Sequence, residues 1–324
     1  MSKLLTKNIY SNAPNLKYWQ GIRYLSDNYY IIVGTNKSGQ GILYIGDLLN
    51  YDSNNNYLVN YPESSTTSVY GPDYIGNATY RLVGSYQKDK DQNIYGLFYQ
   101  GTIKDLENYN NYKTVFVGSS YTFVHSTMEN ILVGNYDEYN LGPIQAFLMI
   151  IDIGKVIKIS YPGSKSNTVY GVWYNGDSTY TLCGGYSDLN VIRPDIYKDS
   201  IIIPFGKAYL VNYNILTGQF SNWTTFNYPY SIDSALTHFQ GISSNDSQKY
   251  QLAGDTVYDG KIITSYIEVS KDKCNNFTLD KWIDFSYPLP GNIATSSNSV
   301  SKNVIVGTYV DINNSSSAFQ LSIE

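Results

Sequence analysis

Short apolar runs that end in glycine recur six times along the chain. Their closing glycines, called here the anchor glycines, are Gly34, Gly84, Gly134, Gly184, Gly254 and Gly307. They are separated by 50, 50, 50, 70 and 53 residues. In four copies a second glycine stands 13 positions earlier, at Gly21, Gly71, Gly171 and Gly241. Two sets of glycines that recur at the same spacing indicate a structural repeat of about 50 residues.

Each repeat contains two further strand-like segments. An aromatic and aliphatic pair such as Leu43-Tyr44 or Phe98-Tyr99 follows each anchor glycine. A segment of alternating apolar and polar residues comes next and often closes with Tyr-Pro, at 57–62, 156–162, 223–229 and 282–288. Period-two alternation ended by proline is typical of a strand with one exposed face, since proline cannot donate into a ladder.

Four short strands in about 50 residues match one blade of a β-propeller. The sequence has no extended pattern of helical period. We therefore predict an all-β, six-bladed β-propeller with four antiparallel strands per blade, formed by residues 1–324 as a single domain. A pair of β-sandwiches and an open β-solenoid are the alternatives.

The two ends of the chain indicate how the ring closes. The last repeat stops after its third strand at 319–323, whereas residues 4–10 resemble an isolated fourth strand. We expect the N-terminal strand to complete the last blade, which would remove the open sheet edges. The 70-residue interval predicts an insertion of about 20 residues near 187–206 in the fourth blade.

The order of the segments resembles the bacterial HAF-type repeat. The matching stretches are Tyr70-Gly71, 83–86, 96–99, 161–163 and 168–172. This resemblance implies a propeller and no particular reaction. The richness in asparagine and tyrosine, with 35 tyrosines, is similar to that of proteins from AT-rich genomes such as those of amoeba-infecting giant viruses.

Charge and hydropathy exclude some classes of partner. The formal net charge is −5, and no cluster of Lys or Arg suits a phosphate backbone, so we expect no nucleic-acid partner. No apolar stretch reaches the roughly 20 residues of a membrane-spanning helix, so no membrane partner is expected. Residues 1–7 lack the pattern of a signal peptide, which predicts an intracellular or virion location.

The sequence shows no recognised catalytic or metal-binding spacing. There is no zinc or calcium ligand pattern, no nucleophile elbow and no phosphate-binding loop. The two histidines, His125 and His238, fall in different predicted blades. We therefore predict no catalytic residues, no metal and no cofactor.

Candidate ligand-binding residues lie on the strands expected to line the central channel. They are Trp19, Gln20, Tyr70, His125, Tyr170, Phe239 and Gln240. Aromatic rings and amides could hold a sugar or a peptide, whereas the alternative reading is that they pack between blades. Four recurring tyrosines, at 86, 136, 186 and 309, are expected to act as wedges between blades.

Three functions follow from these patterns. The first is a non-enzymatic structural or protein-interaction module with protein partners, which would be a virion component if the source is viral. A carbohydrate-binding, lectin-like propeller with glycan partners is the alternative. A glycoside hydrolase that uses carboxylates in the channel is a further alternative.

Overall fold

The computed structural model describes 24 strands in residues 6–7, 16–48, 50–139, 142–189, 206–230, 235–246, 248–258, 261–288 and 290–323. They form six four-stranded antiparallel sheets. The innermost strands are β2 (Leu16–Ser26), β6 (Ser64–Gly76), β10 (Thr122–Met128), β14 (Ser166–Gly176), β18 (Leu236–Asp246) and β22 (Asn292–Ser301). The second strands are β3 (Tyr29–Asn36), β7 (Thr79–Lys88), β11 (Ile131–Asp137), β15 (Thr179–Ser187), β19 (Lys249–Tyr258) and β23 (Val304–Asp311).

The remaining strands complete each sheet towards its outer edge. The third strands are β4 (Gly41–Asp47), β8 (Tyr95–Gly101), β12 (Ile144–Ile150), β16 (Lys207–Asn214), β20 (Lys261–Lys271) and β24 (Ser316–Ile323). The outer strands are β5 (Asn56–Val59), β9 (Tyr112–Val115), β13 (Lys155–Ile159), β17 (Gln219–Phe226), β21 (Phe277–Phe285) and β1 (Thr6–Lys7). Three 3₁₀ turns occupy Ser53–Asn55, Ile103–Asp105 and Tyr109–Asn111.

The six sheets are the blades of a β-propeller, numbered 1 to 6 from the sheet that begins with β2. Each innermost strand contacts the innermost strands of both neighbouring blades, and β22 contacts β2. The ring is thereby closed, and the predicted fold is confirmed.

The closure also follows the prediction. In blade 6, β1 pairs with β24 in antiparallel register, with Thr6 opposite Ile323 and Lys7 opposite Ser322. The order β22, β23, β24, β1 therefore joins the two ends of the chain within one sheet.

The second strand of each blade is buried on both faces, because neighbouring blades cover it. Ile131, Leu132 and Val133 of β11 are all fully buried. A strand covered on both sides has no solvent-facing positions, and so its sequence is a continuous apolar run. This explains the runs that precede the anchor glycines.

The hydrophobic core lies between blades. One cluster combines Val133 and Leu148 of blade 3 with Val172 and Leu182 of blade 4. The interface that closes the ring packs Trp19 of blade 1 against Val306 of blade 6, among others. Each blade is therefore stabilised mainly by its two neighbours.

Tight turns connect the first and second strands. Asp27 and Asn28 both have positive φ, of 42° and 68°, and so do Asn77 and Ala78, at 51° and 55°. Two-residue hairpins with positive φ at both positions match strand twist and favour Asn and Asp, which accounts for part of the asparagine content.

The insertion predicted near 187–206 lies mostly outside the described residues, which resume at Gly206. In the described ranges, no helix has the length and apolarity needed to cross a membrane.

Candidate functional site

The innermost strands enclose a cavity of about 540 Å³ on the propeller axis. This volume lies in the range of small-molecule sites, roughly 300 to 1,000 Å³. The lining comes from all six blades, and the cavity is therefore the point where the repeats converge.

A β-bulge in every innermost strand builds the cavity wall. In each blade the pairing with the second strand shifts by one residue, which leaves one inner residue without a partner in the register. These six residues, called here the axial ring, are Gln20, Tyr70, His125, Tyr170, Gln240 and Asn298, and all six line the cavity. A bulge re-aims one side chain, here towards the axis.

The two glycine registers of the sequence serve this geometry. The residue before each bulge pairs with the anchor glycine, as Val69 does with Gly84. A Cβ at Gly84 would overlap the backbone carbonyl of Ser68. At the second register, a Cβ on Gly71 would lie 2.7 Å from the carbonyl oxygen of His125 in the next blade. Glycine therefore permits both the bulge and the close approach of blades at the axis.

Five of the seven candidate residues from the sequence belong to the axial ring: Gln20, Tyr70, His125, Tyr170 and Gln240. Trp19 and Phe239 do not face the cavity. Both are fully buried in the core, because each precedes its bulge and points to the opposite side of the strand.

Sequence reasoning missed the sixth ring residue, Asn298. In blades 3 and 6 the hairpin between the first two strands is shorter, and a serine replaces the second glycine. Ser126 and Ser299 stand eight positions before their anchor glycines, where the other blades have a glycine at 13. A search that allowed this shorter spacing would have found Asn298.

Tyr70, His125 and Tyr170 of the axial ring contact one another, whereas Gln240 and Asn298 contact groups outside the ring. The His125 ring lies 5.2 Å from that of Tyr70, close to parallel, and 4.7 Å from that of Tyr170, edge-on. Gln240 Nε2 lies 2.7 Å from His238 Nε2, and Asn298 Nδ2 donates to the Trp19 carbonyl at 2.7 Å. These contacts hold the side chains in place before any ligand binds.

Burial keeps His125, Tyr170 and the nearby His238 uncharged at neutral pH. Desolvation lowers the pKa of His125 to about 3 and that of the neighbouring His238 to about 4. Desolvation raises the pKa of Tyr170 to about 12. Both imidazoles and the phenol are therefore neutral, and they offer hydrogen bonds and ring faces without charge.

Arg23, which the sequence did not single out, occupies one end of the cavity. It lies three residues beyond the bulge of β2, and its Nη2 donates to Ser126 Oγ in blade 3 and to the Val172 carbonyl in blade 4, both at 3.3 Å. Its guanidinium thus reaches from blade 1 across the axis. We call this level the floor of the cavity.

The described lining residues include one charged side chain, that of Arg23, and no carboxylate. The pair of carboxylates that glycosidases use is accordingly not found among them. The described part of the chain also holds no cluster of three or more His, Cys, Asp or Glu side chains that could bind a metal. The arrangement can hold a polar molecule through amides, hydroxyls, ring faces and one cation.

No protein-family model and no curated protein matches the chain. Solved structures share its fold. Arabinanase Arb43A from Bacillus subtilis is 10% identical with a TM-score of 0.43, over 97% of this chain and 95% of that one. An exo-1,5-α-L-arabinanase from a bovine ruminal metagenomic library is 10% identical with a TM-score of 0.43, over 86% and 100%.

The tricorn protease is 8% identical with a TM-score of 0.42, over 96% of this chain and 28% of that one, so the chain spans under a third of that protein. At such identities and TM-scores the likeness concerns architecture and assigns no reaction. The resemblance to HAF-type repeats and to giant-virus proteins stays a prediction.

The sequence predicted a structural or protein-interaction module that is not an enzyme. The part of this prediction that excluded an enzyme is wrong. That exclusion relied on missing sequence motifs, yet the solved propellers similar in fold include arabinanases. Missing sequence motifs alone do not exclude catalysis, because fold does not fix function.

Proposed function

We propose that the axial cavity binds a carbohydrate. The observation that carries this proposal is the axial ring, in which a bulge in each of six blades turns an amide, a phenol or a neutral imidazole towards one cavity. Sugars present hydroxyl groups that both donate and accept hydrogen bonds, and amides do the same.

The composition of the ring supports a sugar more than an apolar ligand. Three of its members are amides, Gln20, Gln240 and Asn298. The rings of Tyr70, His125 and Tyr170 alternate between parallel and edge-on contacts, and provide flat surfaces beside the amides. Hydroxyl groups of Thr66, Ser68 and Ser85 extend the polar lining on the side away from Arg23.

Binding to a glycan array, followed by calorimetric titration of the sugars that bind, tests the proposal. Gln20→Leu removes one ring amide at similar size, and we expect it to weaken binding about tenfold, the effect of losing about 1.4 kcal/mol. Gln219→Leu is the matched control, because Gln219 is exposed on β17 outside the cavity. A silent array, or equal losses in both variants, would contradict a carbohydrate site in the cavity.

The same titrations can reveal catalysis. Release of new reducing ends from a bound oligosaccharide, reduced in Gln20→Leu and retained in Gln219→Leu, would show that the cavity also cleaves its ligand. An intracellular or virion location and the presence of protein partners stay predictions from the sequence.

A further inference from the structure

Arg23 has hydrogen-bonding capacity that the protein leaves unused. A guanidinium carries five N–H groups. Three of them are accounted for, since Nη1 donates to the Ile22 carbonyl and Nη2 to Ser126 Oγ and the Val172 carbonyl, each at 3.3 Å. Nε is buried and has no partner among the described residues. All three bonds are long, at the weak end of the range.

The charge of Arg23 is also without a close counter-ion. In the described part of the chain Arg23 forms no ion pair. Asp73, its main electrostatic partner, acts from a greater distance, and that carboxylate accepts the backbone N–H of Glu129 at 3.1 Å. Asp73 does not line the cavity. A buried cation that lacks a paired anion is costly to the folded protein.

The other buried arginine in the described ranges, Arg81, shows the difference. Arg81 donates through Nε and Nη2 to Gln100 Oε1 at 3.1 and 3.0 Å, and through Nη1 to the Glu129 carbonyl. Arg81 lies outside the cavity lining and all three of its nitrogens have partners. Arg23 is 8% exposed and is one of the residues that line the cavity.

The rest of the described lining does not offset the charge. It contributes no carboxylate, and burial keeps His125 and Tyr170 neutral. The floor of the cavity is thus a desolvated positive centre that no carboxylate of the described lining neutralises. In such surroundings an anionic group binds an arginine through charge-assisted hydrogen bonds, which are stronger than neutral ones.

We infer that the sugar held in the axial cavity carries an anionic group, which binds Arg23 at the floor while the axial ring holds the sugar hydroxyls. This inference rests on the proposed carbohydrate function and names the class of sugar. A carboxylate and a phosphate share the required chemistry, and the experiment separates them.

Three sugars of one skeleton provide the test: D-glucose, D-glucuronate and D-glucose 6-phosphate, titrated into the protein at low salt. We expect at least one of the two anionic sugars to bind about tenfold more tightly than glucose, the equivalent of one charge-assisted contact. The advantage should shrink in 0.5 M NaCl, because salt screens the contact. The tighter of the two identifies the anionic group.

Arginine variants locate the effect. Arg23→Gln should remove the preference for the anionic sugar and Arg23→Lys should keep part of it, whereas Arg81→Gln should leave the preference unchanged. If Arg23→Gln does not fold, the affinities of the three sugars for the wild-type protein and for Arg23→Lys still test the inference. Equal affinities of the three sugars in the wild type would overturn the anionic ligand and leave the carbohydrate site intact.

Two further outcomes bear on the carbohydrate site itself. Binding of inorganic phosphate as tight as that of glucose 6-phosphate would show that the sugar is not recognised. No binding of any of the three sugars, together with a silent glycan array, would overturn the proposed function and this inference with it.

Discussion

Asn135 and Asp255 perform the same task in two different blades. Each follows its anchor glycine, and each accepts the backbone N–H of the residue before the bulge in the next blade. Asn135 Oδ1 accepts from Val169 N at 2.8 Å, and Asp255 Oδ1 accepts from Ser297 N at 3.1 Å. One position thus joins successive blades with an amide in one place and a carboxyl group in the other.

The carboxyl group of Asp255 makes stability depend on pH. Burial, opposed by hydrogen bonds from Ser296, Ser297 and Thr264, raises its pKa from 3.8 to about 6. Between pH 3.8 and about pH 6, the Asp255 carboxyl group has lost its proton in the unfolded chain but keeps it in the folded protein. The free energy of unfolding therefore falls as pH rises through this window, by about 3 kcal/mol.

Asp255→Asn should remove this contribution. Because Asn135 shows that an amide suits the position, we expect the variant to be more stable than the wild type at pH 7, by about 1 to 3 kcal/mol. Urea unfolding followed by tryptophan fluorescence between pH 4 and 7 measures it. The reciprocal Asn135→Asp should be destabilised at pH 7 and recover at pH 4. A less stable Asp255→Asn at pH 7 would contradict the argument.

His125 gives the opposite pH dependence. Desolvation lowers the pKa of the His125 imidazole from 6.5 to about 3. Below pH 6.5 the imidazole is therefore protonated in the unfolded chain but stays neutral in the folded protein. The free energy of unfolding should fall by about 1.4 kcal/mol for each pH unit below 6.5.

His125→Gln isolates the histidine. Glutamine already occupies the equivalent ring position in blades 1 and 5, at Gln20 and Gln240, and so should fit. We expect the free energy of unfolding of the variant to fall less steeply between pH 6 and pH 4 than that of the wild type. The difference in slope should be about 1.4 kcal/mol per pH unit, which corresponds to one proton. Parallel profiles for the two proteins would show that His125 becomes protonated in the folded state.

Stacked tyrosines join neighbouring blades. Tyr61, which follows the outer strand of blade 1, stacks on Tyr86 of blade 2 with ring centroids 3.6 Å apart and planes 6° from parallel. Their hydroxyls both contact Thr114 Oγ1, at 2.9 and 2.7 Å. Similar stacks join Tyr161 to Tyr186 and Tyr287 to Tyr309.

A double-mutant cycle of Tyr61→Ala and Tyr86→Ala should show a coupling of about 1 kcal/mol in unfolding free energy. Tyr86→Ala alone should destabilise by about 3 kcal/mol, since Tyr86 is buried. Tyr109→Ala is the control: its side chain is 64% exposed, and a change within about 0.5 kcal/mol is expected. Additive effects of the first two substitutions would rule out a stabilising stack.

The sequence revealed the fold because the blade imposes the same constraint six times. In five blades the anchor glycine must lack a Cβ, because a Cβ there would overlap a backbone carbonyl oxygen of the innermost strand, and that requirement leaves a period in the sequence; these glycines are Gly34, Gly84, Gly134, Gly184 and Gly307. Tyr86, Tyr186 and Tyr309 recur for a similar reason, as wedges between blades.

The site was less visible because side-chain direction depends on a one-residue irregularity. Trp19 and Gln20 are neighbours in sequence, yet the first is core and the second faces the axis. Arg23 has no equivalent in the other repeats, since Asp73 stands at the corresponding place in blade 2. A residue that breaks the repeat leaves no periodic signal, although here it carries the only charge of the described lining.

The pairing of β1 with β24 also orders the events of synthesis. Thr6 must find Ile323, more than 300 positions later in the chain. Among the described strands, β1 leaves the ribosome before the others and its partner β24 leaves after them, so blades 1 to 5 can form while the sixth is still open. The ring closes only once β24 has been synthesised, and a chain stalled before β24 would display an unfinished sheet to the protein quality-control machinery of the cell.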